Sequence, residues 1–524
     1  MKKSAGKSTG AYYTPKNLVN FMVHHVYNRE SGNIQHVLEP SVGKRAFLDV
    51  LSQYDSTIDV VDINSQDIKE IDELHYPNVY SYNVDYLEYI YRCEKKYDLI
   101  IGNPPYIRIK NMSLESRDAS KKIVRDYDLP DSISQNIWVS FILGSVKLLS
   151  ENGTIFFVLP FEFLQVQYPQ SLRIFLETIF PHIEIFTFEI TPFPNIEQDV
   201  CLIYLSKNSK TRPEIDYTTF HSIEDFKICY ESKIIRNKPV EKWSNAILSD
   251  DDVDLVNQLS NRHISINDIG STSPGIVTAG NNYFIINNST LEKLTCSNFV
   301  LRIIRKSAYF HNMLIPNEND LCKLNENDEP IWLLNLHGHN EEEFPTELNK
   351  YLSSSESYVT TIKNGYKCRH RTKWYWVPII PPGDLLFFKR YDQIPRLVVN
   401  ALQIHTTDIA YNMRINREIY DPLSVAFCFY NSLTMLCCEI NGRFYGGGVA
   451  ELTPSEFKKL PLPYKKIPLE KIHTLDEMFR NGNSIDEIIN YVDDVVLTTI
   501  NSEDMKKLKE LRKRYLDRRL SKRN

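Results

Sequence analysis

Asn103, Pro104, Pro105 and Tyr106 follow directly on the apolar run Leu99-Ile100-Ile101-Gly102, and their types point to chemistry at an amino group. Two consecutive prolines fix two φ angles and supply no N–H, so the main-chain carbonyls of this turn are held as rigid acceptors. Asn103 adds a side-chain carbonyl, and Tyr106 adds a π face. Two convergent acceptors beside an aromatic ring suit a flat heterocycle with an exocyclic amine, which has two hydrogens to donate and a ring to stack.

Three carboxylates recur with a related placement. Glu39 ends the apolar segment His36-Val-Leu-Glu, Asp62 ends Thr57-Ile-Asp-Val-Val-Asp, and Asp85 ends Val79-Tyr-Ser-Tyr-Asn-Val-Asp. An acid after the second strand of such a series commonly accepts both hydroxyls of a ribose, and one after the first can meet a cationic amine. With Asp85 beside an adenine amino group, the set would hold S-adenosylmethionine. Taken singly, an acid at a strand end is more often a solvated turn; their order and spacing relative to Asn103 join them into one set.

The elements needed to position these groups are legible as alternation. Thr14 and Pro15 make a helix start, followed by Leu18, Phe21, Met22, His25 and Val26 at helical spacing. A strand running into a turn is expected over 36–43, a helix over 46–51, and strands over 57–62, 79–85 and 99–102. Residues 111–134 are polar without clean periodicity and read as a mobile excursion over the site. A helix over 137–149, a strand over 153–160 and a helix over 172–180 follow. Residues 183–190 and 200–205 then form a closing antiparallel pair joined by 191–199. Strand and helix alternating at short intervals predict an α/β, Rossmann-like doubly wound sheet. This catalytic domain is expected over 1–240. A linker over 241–264 contains an acidic helix-like stretch, and a second, mixed β-rich domain is expected over 265–524.

With 524 residues, 42% hydrophobic and 24% charged, the chain fits two or three globular domains. No apolar run reaches the roughly 18 residues of a membrane span, and no signal peptide is evident, so a cytoplasmic location without membrane contact is expected. Nine cysteines without a C-x-x-C pair argue against a disulfide framework or a zinc site of that kind. A net charge of −6 gives no average attraction to nucleic acid, yet ten Lys/Arg fall within 506–523. That stretch reads either as a solvated terminal helix or as a DNA-backbone contact.

The order of these features resembles the gamma class of N6-adenine DNA methyltransferases, the Taq type of restriction-modification systems. Its Tyr-x-Thr-Pro segment is matched by Tyr12 to Pro15, its Glu-Pro-x-x-Gly turn by Glu39 to Gly43, and its Asn-Pro-Pro-Tyr by Asn103 to Tyr106. Residues 443–463 look like the run found late in such target-recognition domains. The resemblance implies methyl transfer from S-adenosylmethionine to the N6 amino group of a flipped-out adenine in double-stranded DNA, without a metal. It implies Asn103, Pro104, Pro105 and Tyr106 as catalytic, and Thr14, Glu39, Ser41, Gly43, Asp62, Ile63 and Asp85 as cofactor-binding. Tyr106 and Phe193 would stack on the two faces of the base. The protein would act as a monomer, beside a separate cognate restriction endonuclease or as an orphan. N4-cytosine methylation is the alternative reaction. Arg45 stands where the family has a small residue, so a catalytically inactive DNA-binding protein of the same fold is the alternative of another class. Asn-Pro-Pro-Tyr alone also occurs in methyltransferases of protein glutamine and of RNA guanine.

In the second domain, Arg369, Arg371, Lys373 and Trp374 interleave base with aromatic, and Lys389 and Arg390 repeat the pattern more weakly. These are candidate DNA contacts, with an aromatic core strand as the competing reading. His337, His339, Glu341 and Glu342 lack a further metal-ligand motif. Gly446 to Gly448 reads as a loop with positive φ.

Overall fold

The computed structural model describes residues 14–30, 34–193, 199–208, 214–235, 239–444 and 448–520. Two compact units divide the chain, one built on Met1–Asp254 and the other on Leu255–Phe444 and Gly448–Leu520.

The first unit is organised by a nine-stranded sheet. Its strands are β1 (His36–Glu39), β2 (Thr57–Asp62), β3 (Val79–Asn83), β4 (Tyr97–Gly102), β5 (Leu149–Pro160), β6 (His182–Phe188), β7 (Val200–Ser206), β8 (Glu214–Phe220) and β9 (Ile228–Ile235). The spatial order is β3-β2-β1-β4-β5-β7-β6-β8-β9. The first five strands run parallel, β7 is antiparallel to both β5 and β6, and β8 is again parallel to β6. The order reverses between β1 and β4, and the crevice at such a reversal is where open α/β sheets bind ligands. Fully buried runs such as Leu99, Ile100 and Ile101 mark strands covered on both faces. The helix Lys16–Glu30 supplies Leu18, Val19, Met22, Val23 and Val26 to that core.

Residues 111–134 do not form the expected excursion. They fold as a helix, Leu114–Arg125, capped by Ser113, whose hydroxyl accepts the Ser116 amide at 3.1 Å. Ile123 and Val124 are buried, and the helix packs on Trp138–Leu148. Its apolar positions are few and gathered at one end, so helical periodicity is faint over a window this polar.

One buried cation fastens the end of this unit. Arg173, fully buried, donates to the carbonyls of Phe163 (2.7 Å), Val166 (3.0 Å) and Glu241 (2.9 Å from Nε). Glu177, on the same helix Gln170–Ile179, accepts from the Val240 amide and the Trp243 indole. Desolvation lowers the Arg173 pKa to about 10, so it stays charged at neutral pH.

The second unit is sheet-rich with a helical remainder. One four-stranded sheet runs Gly270–Pro274, Ala410–Ile415, Leu385–Phe388, Arg396–Val399, and another runs Ile285–Ile286, Trp332–Leu334, Val300–Ile304, His405–Thr406. Helices Pro422–Phe429, Ser432–Asn441, Leu469–Arg480, Ile485–Val496 and Ser502–Leu520 occupy most of the later residues. The basic terminal helix is neither solvated nor free for phosphates along its whole length. Leu508, Leu511 and Tyr515 are buried, Arg512 binds Asp486 at 3.1 Å, and Arg519 forms a buried pair with Glu439 at 2.8 Å. Leucines at helical spacing gave it an inward face; on that face Arg512 and Arg519 are taken inside with acidic partners, and Arg518 lies over the rings of Phe444 and Tyr515. Among the described residues, no single helix is long and apolar enough to cross a membrane.

Candidate active site at the carboxyl edge of the sheet

Because β1 to β4 are parallel, their last residues all emerge on one edge. Glu39 and Asp62 close β1 and β2, Asp85 lies two residues past β3, and Asn103 directly follows β4. A pocket of about 570 Å³ opens there, within the usual range for cofactor sites of roughly 300 to 1,000 Å³. Thr14, Glu39, Ser41, Gly43, Asp62, Ile63, Asp85, Asn103 and Pro105 all line it. Sequence reasoning missed other parts of the wall, among them Phe47, Ile107, Met112, Ser113, Ser116, Ile137 and Phe141. Several of these come from the helix-forming stretch read as an excursion, where Ser113 as cap was the available signal.

The turn after β1 is held to the end of β2. Gly43, at φ +50°, donates its amide to Asp62 Oδ2 at 2.9 Å, and the Asn64 amide donates to Oδ1 at 2.8 Å. Each carboxylate oxygen keeps a lone pair. Burial raises the Asp62 pKa, opposed by those amides. Ile63, beside it, is 73% exposed and presents an apolar surface to the pocket.

Glu39 is the electrostatic centre of the site. It is 1% exposed, and among the described residues its Oε2 has no hydrogen-bond partner. Burial pushes its pKa well up, with the charges of Asp62 and Asp49 adding to the effect and the Leu48 amide opposing it. Among the described residues this buried carboxylate faces two other acids and no cation, and an organic cation in the pocket would supply one. Asp85 accepts the Leu87 amide at 2.9 Å as the cap of the helix Tyr86–Arg92, and Ser116 Oγ lies 3.5 Å from its other oxygen. The residues present therefore fit a ligand with a cationic end, vicinal hydroxyls and a purine.

Arg45 leaves that cradle open. It adopts φ +67°, and the pocket wall passes from Lys44 to Ala46 without it. Its charge acts on Glu70 and Tyr76 instead.

Asn103 is fixed from three sides. Its Nδ2 donates to Thr14 Oγ1 at 3.1 Å, its main-chain carbonyl accepts from Ser41 Oγ at 3.2 Å, and its Oδ1 accepts from the Tyr106 hydroxyl at 3.1 Å. That hydroxyl also lies 3.2 Å from the Val158 carbonyl. Pro104 and Tyr106 are not part of the pocket wall, whereas Pro105 is. Phe193 is 4% exposed and packs in the core of the first unit, so its ring offers no open face in this conformation. Tyr12 and most of the 191–199 turn lie outside the described residues, as do Gly446 and Gly447.

The second unit distributes its candidate contacts unevenly. Arg369 is exposed on the short helix Tyr366–Arg369. Arg371 donates to the carbonyls of Val277 (3.1 Å), Thr278 (2.9 Å) and Trp374 (3.3 Å), which commits its guanidinium to the fold. Trp374 packs beside Tyr283 and Phe284, and Lys373 donates to Asn340 Oδ1 at 2.8 Å. Lys389 and Arg390 both pair with Glu451. His339 Nδ1 donates to Glu343 Oε2 at 2.7 Å.

The sheet order, with its antiparallel seventh strand and its acid-lined carboxyl edge, is the fold of S-adenosylmethionine-dependent methyltransferases. Residues 41–189 match the family described as Eco57I restriction-modification methylase, and residues 240–497 match that of Type II methyltransferase M.Eco57I, C-terminal domain. Residues 41–189 are thus similar to that methylase family, and residues 240–497 to the C-terminal domain of a Type II methyltransferase of the same kind. It is 23% identical over 537 aligned residues to the Type II methyltransferase M.AccI of Acinetobacter calcoaceticus, covering 94% of this chain and 93% of that one. It is 31% identical over 181 residues to M.HincII of Haemophilus influenzae, covering 34% of this chain and 32% of that protein. The fold is similar to the solved structure of the Type IIL restriction-modification enzyme MmeI in complex with DNA, with a TM-score of 0.62 at 11% identity, over 98% of this chain and 80% of that one.

Proposed function

We propose that this protein transfers a methyl group from S-adenosylmethionine to the N6 amino nitrogen of an adenine in double-stranded DNA. The observation that carries the reading is the fixed Asn103: a side-chain amide oriented by Thr14 and Tyr106, at the rim of a pocket whose buried acid has, among the described residues, an oxygen without a hydrogen-bond partner.

When bound, S-adenosylmethionine supplies an electrophilic methyl group on a sulfonium. Glu39 would neutralise the cationic end, Asp62 would accept the ribose hydroxyls, Asp85 would accept from the adenine amine, and Ile63 would cover the purine. An aromatic amine is a poor nucleophile while its lone pair is delocalised into the ring. Asn103 Oδ1 and the Pro104 carbonyl would each accept one amino hydrogen, favouring a pyramidal nitrogen aimed at the methyl group. Positioning then supplies most of the acceleration. The Tyr106 hydroxyl, which can donate to Val158 as well as to Asn103, would release Oδ1 to the incoming amine. Its ring would stack on the base, worth about 1 to 3 kcal/mol. Reaching the amine in a duplex requires flipping the base, at a cost of a few kcal/mol. Exposed Arg369 and neighbouring bases of the second unit would meet DNA phosphates.

The test is incubation with mixed-sequence duplex DNA and labelled S-adenosylmethionine, followed by digestion to nucleosides. Label in N6-methyladenine supports the proposal. Label in N4-methylcytosine refutes the base assignment, and no label with duplex DNA refutes the reaction.

A further inference from the structure

Away from the pocket, three side chains of different chemistry converge on the carboxyl edge of the outer strands. Glu189 follows β6, His221 follows β8, and Cys229 lies in β9. One ligand-type atom from each lies within 4.8 Å of the other two, and Glu189 Oε2 is 2.8 Å from His221 Nδ1.

The backbone builds this convergence. β6 and β8 are parallel with Phe188 opposite Phe220, so Glu189 and His221 leave adjacent strands at the same level. The Glu189 amide bonds the Phe220 carbonyl and the Ile190 amide bonds the His221 carbonyl, which extends the register past the strand ends. On the other side, Phe220 pairs with Ile228 and Thr219 with Tyr230, so Cys229 is the extra residue of a bulge. A bulge re-aims a side chain that regular pleating would send elsewhere. Here it turns the thiol toward Glu189; desolvation raises the Cys229 pKa, and the contact with Glu189 and its charge add to the rise.

We propose that Glu189, His221 and Cys229 form a binding site for a borderline-soft divalent cation of the zinc type. Thiolate, imidazole and carboxylate are the three donor classes that zinc accepts, and three protein ligands leave a fourth tetrahedral position for water. Ordinary zinc bond lengths put donor atoms roughly 3.2 to 3.7 Å apart. The Glu189–His221 pair must therefore open by about half an ångström and the thiol move inward. Half-buried Glu189 and His221 and exposed Cys229 leave room for that adjustment. Binding displaces the thiol proton, and the two negative ligands balance the metal charge. Lys227 and Asp225 are the other charged groups acting on the thiol, one of each sign.

A second cluster, His182, Glu184 and Asp216, has comparable spacing. There the carboxylates are already answered: Glu184 binds Arg29 and His25, and Lys233 lies 3.8 Å from Asp216. Resident cations make that cluster an ion-pair network.

The experiment strips the full-length protein with a chelator and titrates it with cobalt(II), following the thiolate-to-metal charge-transfer band in the near ultraviolet. Zinc content is measured in parallel after dialysis. The expected result is a band saturating at one equivalent, absent in Cys229→Ser and at least tenfold weaker in apparent affinity in His221→Ala. Cys322→Ser, which removes another exposed thiol, should leave it intact. Zinc should raise the melting temperature of the parent and not of Cys229→Ser. No band at stoichiometric cobalt, or a band that survives Cys229→Ser, overturns the site. Far-ultraviolet circular dichroism of each variant separates ligand loss from unfolding, and no readout depends on methyl transfer.

Discussion

Asn103 Nδ2 donates to Thr14 Oγ1 across 89 positions of sequence, tying the turn after β4 to a residue two positions before the helix Lys16–Glu30. Asn103→Ala should therefore lower the methyl-transfer rate by at least about a hundredfold, the scale lost when a positioned polar group is removed from a reacting centre. DNA affinity, read by filter binding, should stay within a few-fold. Thr14→Val keeps Asn103 and releases its orientation, so it should lower the turnover rate by a smaller factor with little change in KM for DNA. Equal rates in Asn103→Ala and parent would remove Asn103 from the chemistry.

The Tyr106 hydroxyl and ring make separable contributions. Tyr106→Phe deletes the bonds to Asn103 Oδ1 and Val158 while keeping the π face. It should reduce transfer modestly. Tyr106→Ala should in addition lose about 1 to 3 kcal/mol of stacking, visible as weaker fluorescence enhancement of 2-aminopurine placed at the target position. Identical losses in the two variants would rule out a stacking role.

Glu39 makes a signed pH prediction. Its folded pKa is raised well above the unfolded value of about 4.3, so the folded state binds this proton more tightly than the unfolded chain. The contribution to stability is full below the unfolded pKa and is lost as pH rises through the raised folded value. Ligand-free protein should melt lower across that window, and Glu39→Gln should flatten the dependence in denaturant titrations. A bound cation would favour the ionised form, so S-adenosylmethionine binding should release a proton, measurable by calorimetry in buffers of different ionisation enthalpy. A melting curve for Glu39→Gln that tracks the parent at every pH would refute the assignment.

Arg519 and Glu439 are 1% and 4% exposed in their side chains. Truncating either alone leaves the other charge buried, so Arg519→Ala or Glu439→Ala should destabilise the second unit by about 3 to 5 kcal/mol. The paired change Arg519→Met with Glu439→Leu should recover most of that loss. Denaturant unfolding of all the variants closes the cycle, and an additive double variant would contradict a buried pair.

Strands β1 to β7 of the first unit were legible because their information is local, whereas β8 and β9, which extend the sheet past the pair read as closing it, were not. Buried parallel strands are short apolar runs, and Glu39, Asp62 and Asn103 each sit at or directly after the end of one, with Asp85 two residues past the edge strand β3. What the sequence left open depends on distant partners. Ser113 and Ser116 reach the pocket only because Ile123 and Val124 dock the helix they belong to, and two buried residues in a polar stretch are a weak periodic signal. Arg371 and the terminal arginines were ambiguous for the same reason. A guanidinium looks the same in sequence whether it faces a phosphate, a carboxylate or, as at Val277 and Thr278, two carbonyls folded in from about ninety residues away. Cys229 owes its orientation to a bulge, which no spacing rule encodes.

Arg173 and Glu177 act as a mechanical clasp. The chain leaving β9 is gripped at Val240, Glu241 and Trp243 by two neighbouring side chains of one helix. Tension applied through the following residues would be loaded in parallel onto these bonds and carried by that helix. The outer strands, whose last member is an exposed edge, would be spared from peeling. In a single-molecule pulling experiment, the force at which the first unit yields should fall when Arg173 is replaced by Met, even where its equilibrium fold is retained.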